Sequence, residues 1–147
     1  MIELRRTEVK DLTTIHEIGN QEHAQPFLSI KSIADLKTEF TDENTTYLSI
    51  INTTDDVLGY FVLIKNQEQY SIQLKRILIC MDSLGIGQNA LLKLEDYCIS
   101  VLGVKRIWLD VYDDNNKAVH IYEKLGYGVF DTVIYDNRKV LYYHKSL

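Results

Sequence analysis

Residues Gln73 to Leu92 read Q-L-K-R-I-L-I-C-M-D-S-L-G-I-G-Q-N-A-L-L. Leu74 to Ile79 is an apolar run of strand length, and Gly85 and Gly87 stand one residue apart in front of a helical pattern. A strand that feeds a glycine loop and then a helix can hold a phosphate. Glycine lets the backbone approach closely, and the first N–H groups of the helix have no partner within it. Those donors and the helix dipole favour an anion there. The other reading of the same residues is a tight strand-to-helix turn with no ligand. The spacing supplies neither the third glycine of G-x-G-x-x-G nor the Gly-Lys-Ser/Thr of a Walker loop.

Outward from this stretch, the chain suits one domain, residues 1–147, with ordinary content for a water-soluble protein: 46% hydrophobic and 25% charged residues. The net charge of −5 does not indicate a nucleic-acid surface, and its sign is compatible with a cationic or amine-bearing partner. Cys80 and Cys98 fit no metal-ligand spacing and read as reduced core residues of a cytoplasmic protein. The four histidines are scattered, so no metal site is expected. No apolar run reaches membrane-spanning length, and M-I-E-L-R-R is not a signal peptide, so no membrane partner is expected.

Ile2 to Arg6 alternates as a strand. Thr7 can cap a helix with Glu8 in its first turn and Val9, Leu12, Ile15 and Ile18 on one face, ending at Gly19. Asn20 to Leu28 is irregular. Ser32 with Asp35 caps a second helix that ends near Phe40 to Asp42. Tyr47–Ile51, Val57–Ile64 and Gln69–Ile79 are three strands joined by polar turns, which implies an antiparallel meander. A helix from Gly87 to Leu102 stops at Gly103 and is followed by strand Lys105–Tyr112, parallel to Leu74–Ile79 because a helix separates them. A helix from about Asn116 to Leu125 stops at Gly126. Strands Tyr127–Tyr135 and Lys139–His144 close the chain as a hairpin. The order is β-α-α-β-β-β-α-β-α-β-β, a mixed α/β sheet of about seven strands.

Two motifs coincide on this order. L-K-R-I-L-I-C-M-D-S-L-G-I-G-Q-N-A-L-L resembles the acetyl-CoA-binding motif of the GCN5-related N-acetyltransferase (GNAT) family. L-D-V-Y-D-D-N-N-K-A-V-H-I-Y-E-K-L-G-Y resembles that family's second signature, carried here by Asn115, Ala118, Tyr122, Gly126 and Tyr127. The amino-terminal part looks most like the branch that acetylates protein amino termini, those of ribosomal proteins among them, and small amines. The resemblance implies the acyl-CoA N-acyltransferase type of fold, acetyl-CoA as cosubstrate, and direct transfer to a primary amine in a ternary complex.

It also implies roles. The family splays its fourth and fifth strands, so Ile77, Leu78 and Ile79 would offer backbone groups to the pantetheine arm, unless that strand is fully paired. Leu84, Gly85, Ile86, Gly87, Gln88 and Asn89 would cradle the pyrophosphate through backbone N–H groups. Asn115 would bond the pantetheine or phosphate side, or cap its helix, or both. Lys117 would pair with a phosphate or stay solvated. Tyr122 is the candidate proton donor to the leaving thiolate, since a phenol near ~10 can serve a thiol near ~8.5. The other reading of Tyr122 is ordinary core.

The sequence departs from the family at three places. Asp82 and Ser83 stand where Arg or Gln, then often Gly, precede the loop glycines. Gln73 stands where many members carry a glutamate, and it cannot act as a base. Glu22, His23 or a water are the remaining bases, or the amine arrives neutral. A second function stays open on these residues: a domain that binds acyl-CoA without turnover. In a third, the domain is a structural or interaction protein that has lost the cofactor, with the hairpin bearing Phe130, Tyr135, Tyr142 and Tyr143 as a dimer edge. The acceptor, a small-molecule or peptide amine, is expected at the first two helices, Asn20 to Leu28 and the last hairpin, where Glu17, Glu22 and Asp136 can attract a cation.

Overall fold

The computed structural model describes residues 1–20, 32–66, 70–80 and 85–147. The strands are β1 (Glu3–Arg6), β2 (Thr45–Ile51), β3 (Val57–Lys65), β4 (Ser71–Ile79), β5 (Arg106–Tyr112), β6 (Gly128–Tyr135) and β7 (Arg138–Ser146). The helices are α1 (Leu12–Gly19), α2 (Ile33–Phe40), α3 (Ile86–Tyr97) and α4 (Asn116–Lys124). One seven-stranded sheet runs β1-β2-β3-β4-β5-β7-β6. Each neighbouring pair is antiparallel except β4 and β5, which are parallel as the intervening helix requires.

β3 shows why both faces are covered. Phe61 and Leu63 point into a core shared with Leu91 and Leu94 of α3 and Tyr122 of α4. Tyr60 and Val62 point into a second core with Leu12 and Ile15 of α1 and Leu36 of α2. An unbroken apolar run is what a strand buried on both sides needs.

β4 begins in the same alternation and then changes phase. Val62 pairs with Arg76, but Leu63 pairs with Leu74, so Lys75 is an extra residue in the ladder. Before it, Ile72 and Leu74 face the α3 side. After it, Leu78 faces the α1–α2 side, while Ile77 and Ile79 pack toward α3.

Several local expectations are corrected. Glu8, not Thr7, caps the first turn, a 3-10 turn at Val9–Asp11 in which the Glu8 and Asp11 side chains and backbones exchange bonds. The Thr7 hydroxyl instead meets Ser49 at 2.7 Å in the interior, and Val9 is exposed. The helix after the glycines ends in a π turn, Cys98–Leu102, before Gly103 takes its left-handed φ of 66°. Tyr143 faces the core and not the hairpin's outer edge, because β7 alternates with Tyr143 inward and Tyr142 outward. Cys98 is buried as expected, whereas Cys80 is half-buried beside the cleft described below.

Gly59 lets β3 lie against the end of β4. A Cβ there would stand 2.3 Å from the Leu78 carbonyl oxygen and 2.9 Å from Ile79 Cα. Both contacts are backbone, so the strands would have to part. Gly59→Ala is expected to cost about 1–3 kcal/mol and lower Tm by roughly 3–10 °C in calorimetry; an unchanged Tm would contradict this packing.

Candidate active site between β4 and β5

β5 pairs with β4 only at Ser71–Arg106, Ile72–Ile107 and Gln73–Trp108. Beyond Gln73 the two strands part, two residues before the bulged Lys75. The wedge between them is a cleft of about 1040 Å³. One wall is β4 from Leu74 onward, and the other is Asp110, Val111 and Tyr112 of β5. Two helices begin at it, α3 at Gly85–Gln88 and α4 at Asn115–Ala118. Both therefore aim unpaired N–H groups and the positive end of a dipole at the same space, an arrangement suited to an anion.

The expected residues fall out as follows. Ile77, Leu78 and Ile79 line the cleft, on the part of β4 that β5 does not pair. Gly85 caps α3 in a left-handed conformation, φ 79°. A Cβ on Gly87 would sit 3.5 Å from Ile79 Cδ1 and 3.9 Å from Ile121 Cδ1, so a side chain here would take space from the cleft. Gln88 also lines it. Ile86 instead packs toward the α3-side core, and the Asn89 side chain is exposed away from the lining. Leu84, with Asp82 and Ser83, lies outside the described residues, as do Glu22 and His23.

Asn115 does cap α4: its Oδ1 accepts from the Ala118 N–H at 3.3 Å. It borders the cleft as well, as does the exposed Lys117. Gln73 is the last paired position before the strands part.

Tyr122 is 5% exposed and lines the cleft, its ring against Tyr127 and Tyr143 at centroid distances of 5.7 and 6.2 Å. Its hydroxyl makes no hydrogen bond among the described residues. Burial raises its pKa, and the charge of Asp110 raises it further, so the phenol stays protonated. Asp110 opens onto the cleft, yet the surrounding protein desolvates its carboxyl enough to raise that pKa too. Asp110 is not among the residues expected from the sequence. The signal was there: in I-W-L-D-V-Y, Ile107 and Leu109 alternate inward, which sets Asp110 outward in phase with Trp108 and Tyr112.

The sequence matches the model of the Acetyltransferase (GNAT) family over residues 12–127. The chain belongs to that family. It is an acetyl-CoA-dependent N-acetyltransferase. A spermidine N(1)-acetyltransferase of Escherichia coli (strain K12) is 24% identical over 136 residues, which are 87% of this chain and 73% of that protein. One from Vibrio cholerae is 25% identical over 133 residues, 84% of this chain and 77% of that protein. Among solved structures, the Vibrio cholerae spermidine N-acetyltransferase in complex with CoA and spermine superposes with a TM-score of 0.87 at 21% identity, covering 99% of this chain and 95% of that one. A dodecameric structure of the Vibrio cholerae enzyme gives 0.82 at 21% identity, covering 99% and 93%. At this identity the structures show a shared fold.

In this GNAT acetyltransferase the bulged segment of β4 is held by α2. Glu39 accepts from Lys75 Nζ at 2.7 Å, from Arg76 at 2.5 Å, and from the Tyr47 hydroxyl. Arg76 Nε donates in turn to the Tyr60 hydroxyl at 2.9 Å. Burial alone would raise the Glu39 pKa, but the hydrogen bonds from Lys75, Tyr47 and Arg76 outweigh it and bring it down to about 2. A carboxyl lowered from 4.5 to about 2 stabilises the fold fully above pH 4.5, and that stabilisation drains away as pH falls toward 2. The Tm difference between wild type and Glu39→Gln is therefore expected to be largest near neutral pH and to close between pH 4.5 and 2. A difference that does not change with pH would contradict the assignment.

Proposed function

We propose that this acetyltransferase acts on a terminal primary amine of a small polyamine-like molecule, with Asp110 receiving the ammonium and Tyr122 serving the leaving sulfur. The observation that carries the proposal is the pair itself. A buried phenol with no hydrogen-bond partner and a carboxylate with no ion-pair partner among the described residues face one cleft, close enough for the charge of one to shift the other. The spermidine acetyltransferases of Escherichia coli and Vibrio cholerae support the choice of acceptor.

Acetyl-CoA supplies an acyl thioester: its carbon is the electrophile and its sulfur leaves. The backbone of Ile77, Leu78 and Ile79 would hold the pantetheine arm. The first N–H groups of α3, from Gly85 through Ile86, Gly87 and Gln88 toward Asn89, would hold the pyrophosphate, joined by Leu84 before them and by Lys117 across the cleft. Asn115 spends its Oδ1 on the α4 cap and keeps its Nδ2 for a donor role. Asp110 holds the ammonium and takes one proton from it, so that the free amine attacks the thioester carbon; the second proton that the nitrogen sheds as the C–S bond breaks neutralises the departing CoA thiolate. Its raised pKa makes Asp110 a better acceptor than an ordinary carboxylate. That replaces the glutamate missing at Gln73. Tyr122 donates a hydrogen bond to the sulfur as the C–S bond breaks, and its raised pKa keeps that hydrogen in place at working pH.

A cosubstrate of this kind fits a cytoplasmic enzyme. A homodimer fits β6, the sheet edge. All eight of its residues are exposed, Ile134 and Tyr135 by about two-thirds, and it carries neither lysine nor proline to guard it. Edge-to-edge pairing would leave the sheet face beside the cleft open. Light scattering is expected to give twice the chain mass of 17.1 kDa or a multiple of that; a monomer at all concentrations removes the dimer.

The test of function is release of CoA in the presence of primary amines. Tyr122→Phe is expected to lower kcat by roughly 10²–10⁴ with the KM for acetyl-CoA little changed. In Asp110→Asn, the KM for the amine rises and the acid limb of the kcat/KM profile, placed above the ordinary aspartate range, disappears. No release with any amine, or full activity in Tyr122→Phe, would overturn the reading.

A further inference from the structure

Asp110 pairs with Tyr142 across β5 and β7, and Tyr142 pairs with Asp131 across β7 and β6. Residues paired across neighbouring strands share a face of the sheet. The three therefore form one row, carboxylate, tyrosine, carboxylate. The two aspartates are about 10 Å apart, twice the usual strand spacing. Between Val129 and Asp131 the β6 ladder is irregular, with Phe130 as the extra residue. The Phe130 ring meets Tyr142 edge-on at 6.0 Å. Trp108, two residues before Asp110 on the same face, stacks on Tyr142 at 6.2 Å and is fixed by its Nε1 donating to Asn66 Oδ1 at 3.0 Å. The space between the carboxylates thus has a rigid aromatic floor.

The charges on this floor are uneven. Asp131 is exposed and accepts only from the Thr132 N–H, at 2.8 Å, and neither it nor Asp110 forms an ion pair among the described residues. Of the nearby cations, Lys75 is paired with Glu39 and Arg138 with Asp114, Arg106 hydrogen-bonds His144 and Ser71 with its guanidinium 4.9 Å from the Phe130 ring centre, and the exposed Lys117 borders the cleft. The inner end of the row opens onto the cleft that holds Tyr122, nine-tenths buried and without a hydrogen-bond partner among the described residues.

We propose that this row selects an acceptor with a second positive charge: one ammonium binds at Asp110, gives up a proton there and as the free amine receives the acetyl group, the carbon chain crosses Tyr142 and Trp108, and the second ammonium is read by Asp131. This rests on the acetyl-transfer reading above and adds the residue that distinguishes a diamine from a monoamine. Aromatic rings suit both the methylenes and a passing cation. Asp131 is solvent-exposed, so its effect is modest and sensitive to salt.

The experiment compares kcat/KM for 1,4-diaminobutane and 1,6-diaminohexane with that for n-butylamine and n-hexylamine. The enzymes are wild type, Asp131→Asn, and Asp96→Asn on the exposed surface of α3 as a control for net charge. Wild type is expected to favour the diamines by about five-fold or more at low salt, and the preference shrinks at high salt. Asp131→Asn brings the diamine-to-monoamine ratio toward one through KM, and Asp96→Asn keeps the wild-type ratio. CoA release with no diamine preference, or a preference unchanged in Asp131→Asn, overturns this inference and leaves acetyl transfer standing. No release with any amine overturns acetyl transfer and this inference with it.

Discussion

One extra residue in β4, Lys75, sets the shape of the cleft between β4 and β5. An inserted residue bends its strand and reverses which face the following side chains occupy. Here the reversal sends Leu78 into the α1–α2 core and Ile77 and Ile79 toward α3, and β4 leaves β5 just ahead of it. Without that separation β4 and β5 would pair to their ends, and the two helix N-termini would face a closed sheet. A bulge of this kind keeps its place only if something holds it. Glu39 does so by gripping both Lys75 and Arg76 from α2.

The same grip has an electrostatic effect. Lys75 and Arg76 both border the cleft, and two bare cations there would repel an ammonium. Glu39 neutralises much of that charge, while Asp110 on the opposite wall keeps its own. The site is thus positive where two helices begin and negative where the amine is expected. The whole-chain charge of −5 gives no hint of this division, because it comes from placement and not from number.

Much of the fold was legible in the sequence because its signals are local. The order of elements follows from periodicity, and Ser32, Gly103, Asn115 and Gly126 mark helix ends where the structure has them. The Asp136-Asn137 turn takes positive φ at both residues, as a two-residue hairpin needs. What could not be read depends on pairing across the sheet. Q-L-K-R-I-L-I carries no mark of a bulge at Lys75, since the register is fixed by β3. Thr7 resembles a cap, but Ser49, 42 residues away, claims its hydroxyl. Tyr142 and Tyr143 look equivalent until β7 is set against β5, which turns one to the face that carries Trp108 and Asp110 and the other into the core. Of the site, the glycines, Asn115 and Tyr122 stood out through the family resemblance. Asp110 needed only the alternation of β5, and its partnership with Tyr122 needed the fold.

Acetyl-CoA is expected to lie along the part of β4 that β5 leaves open. Hydrogen–deuterium exchange of the protein with and without acetyl-CoA tests this directly. Protection concentrated in Leu74–Ile79 and the first turn of α3 is the predicted result. Binding that leaves those amides unchanged while protecting another surface would contradict it.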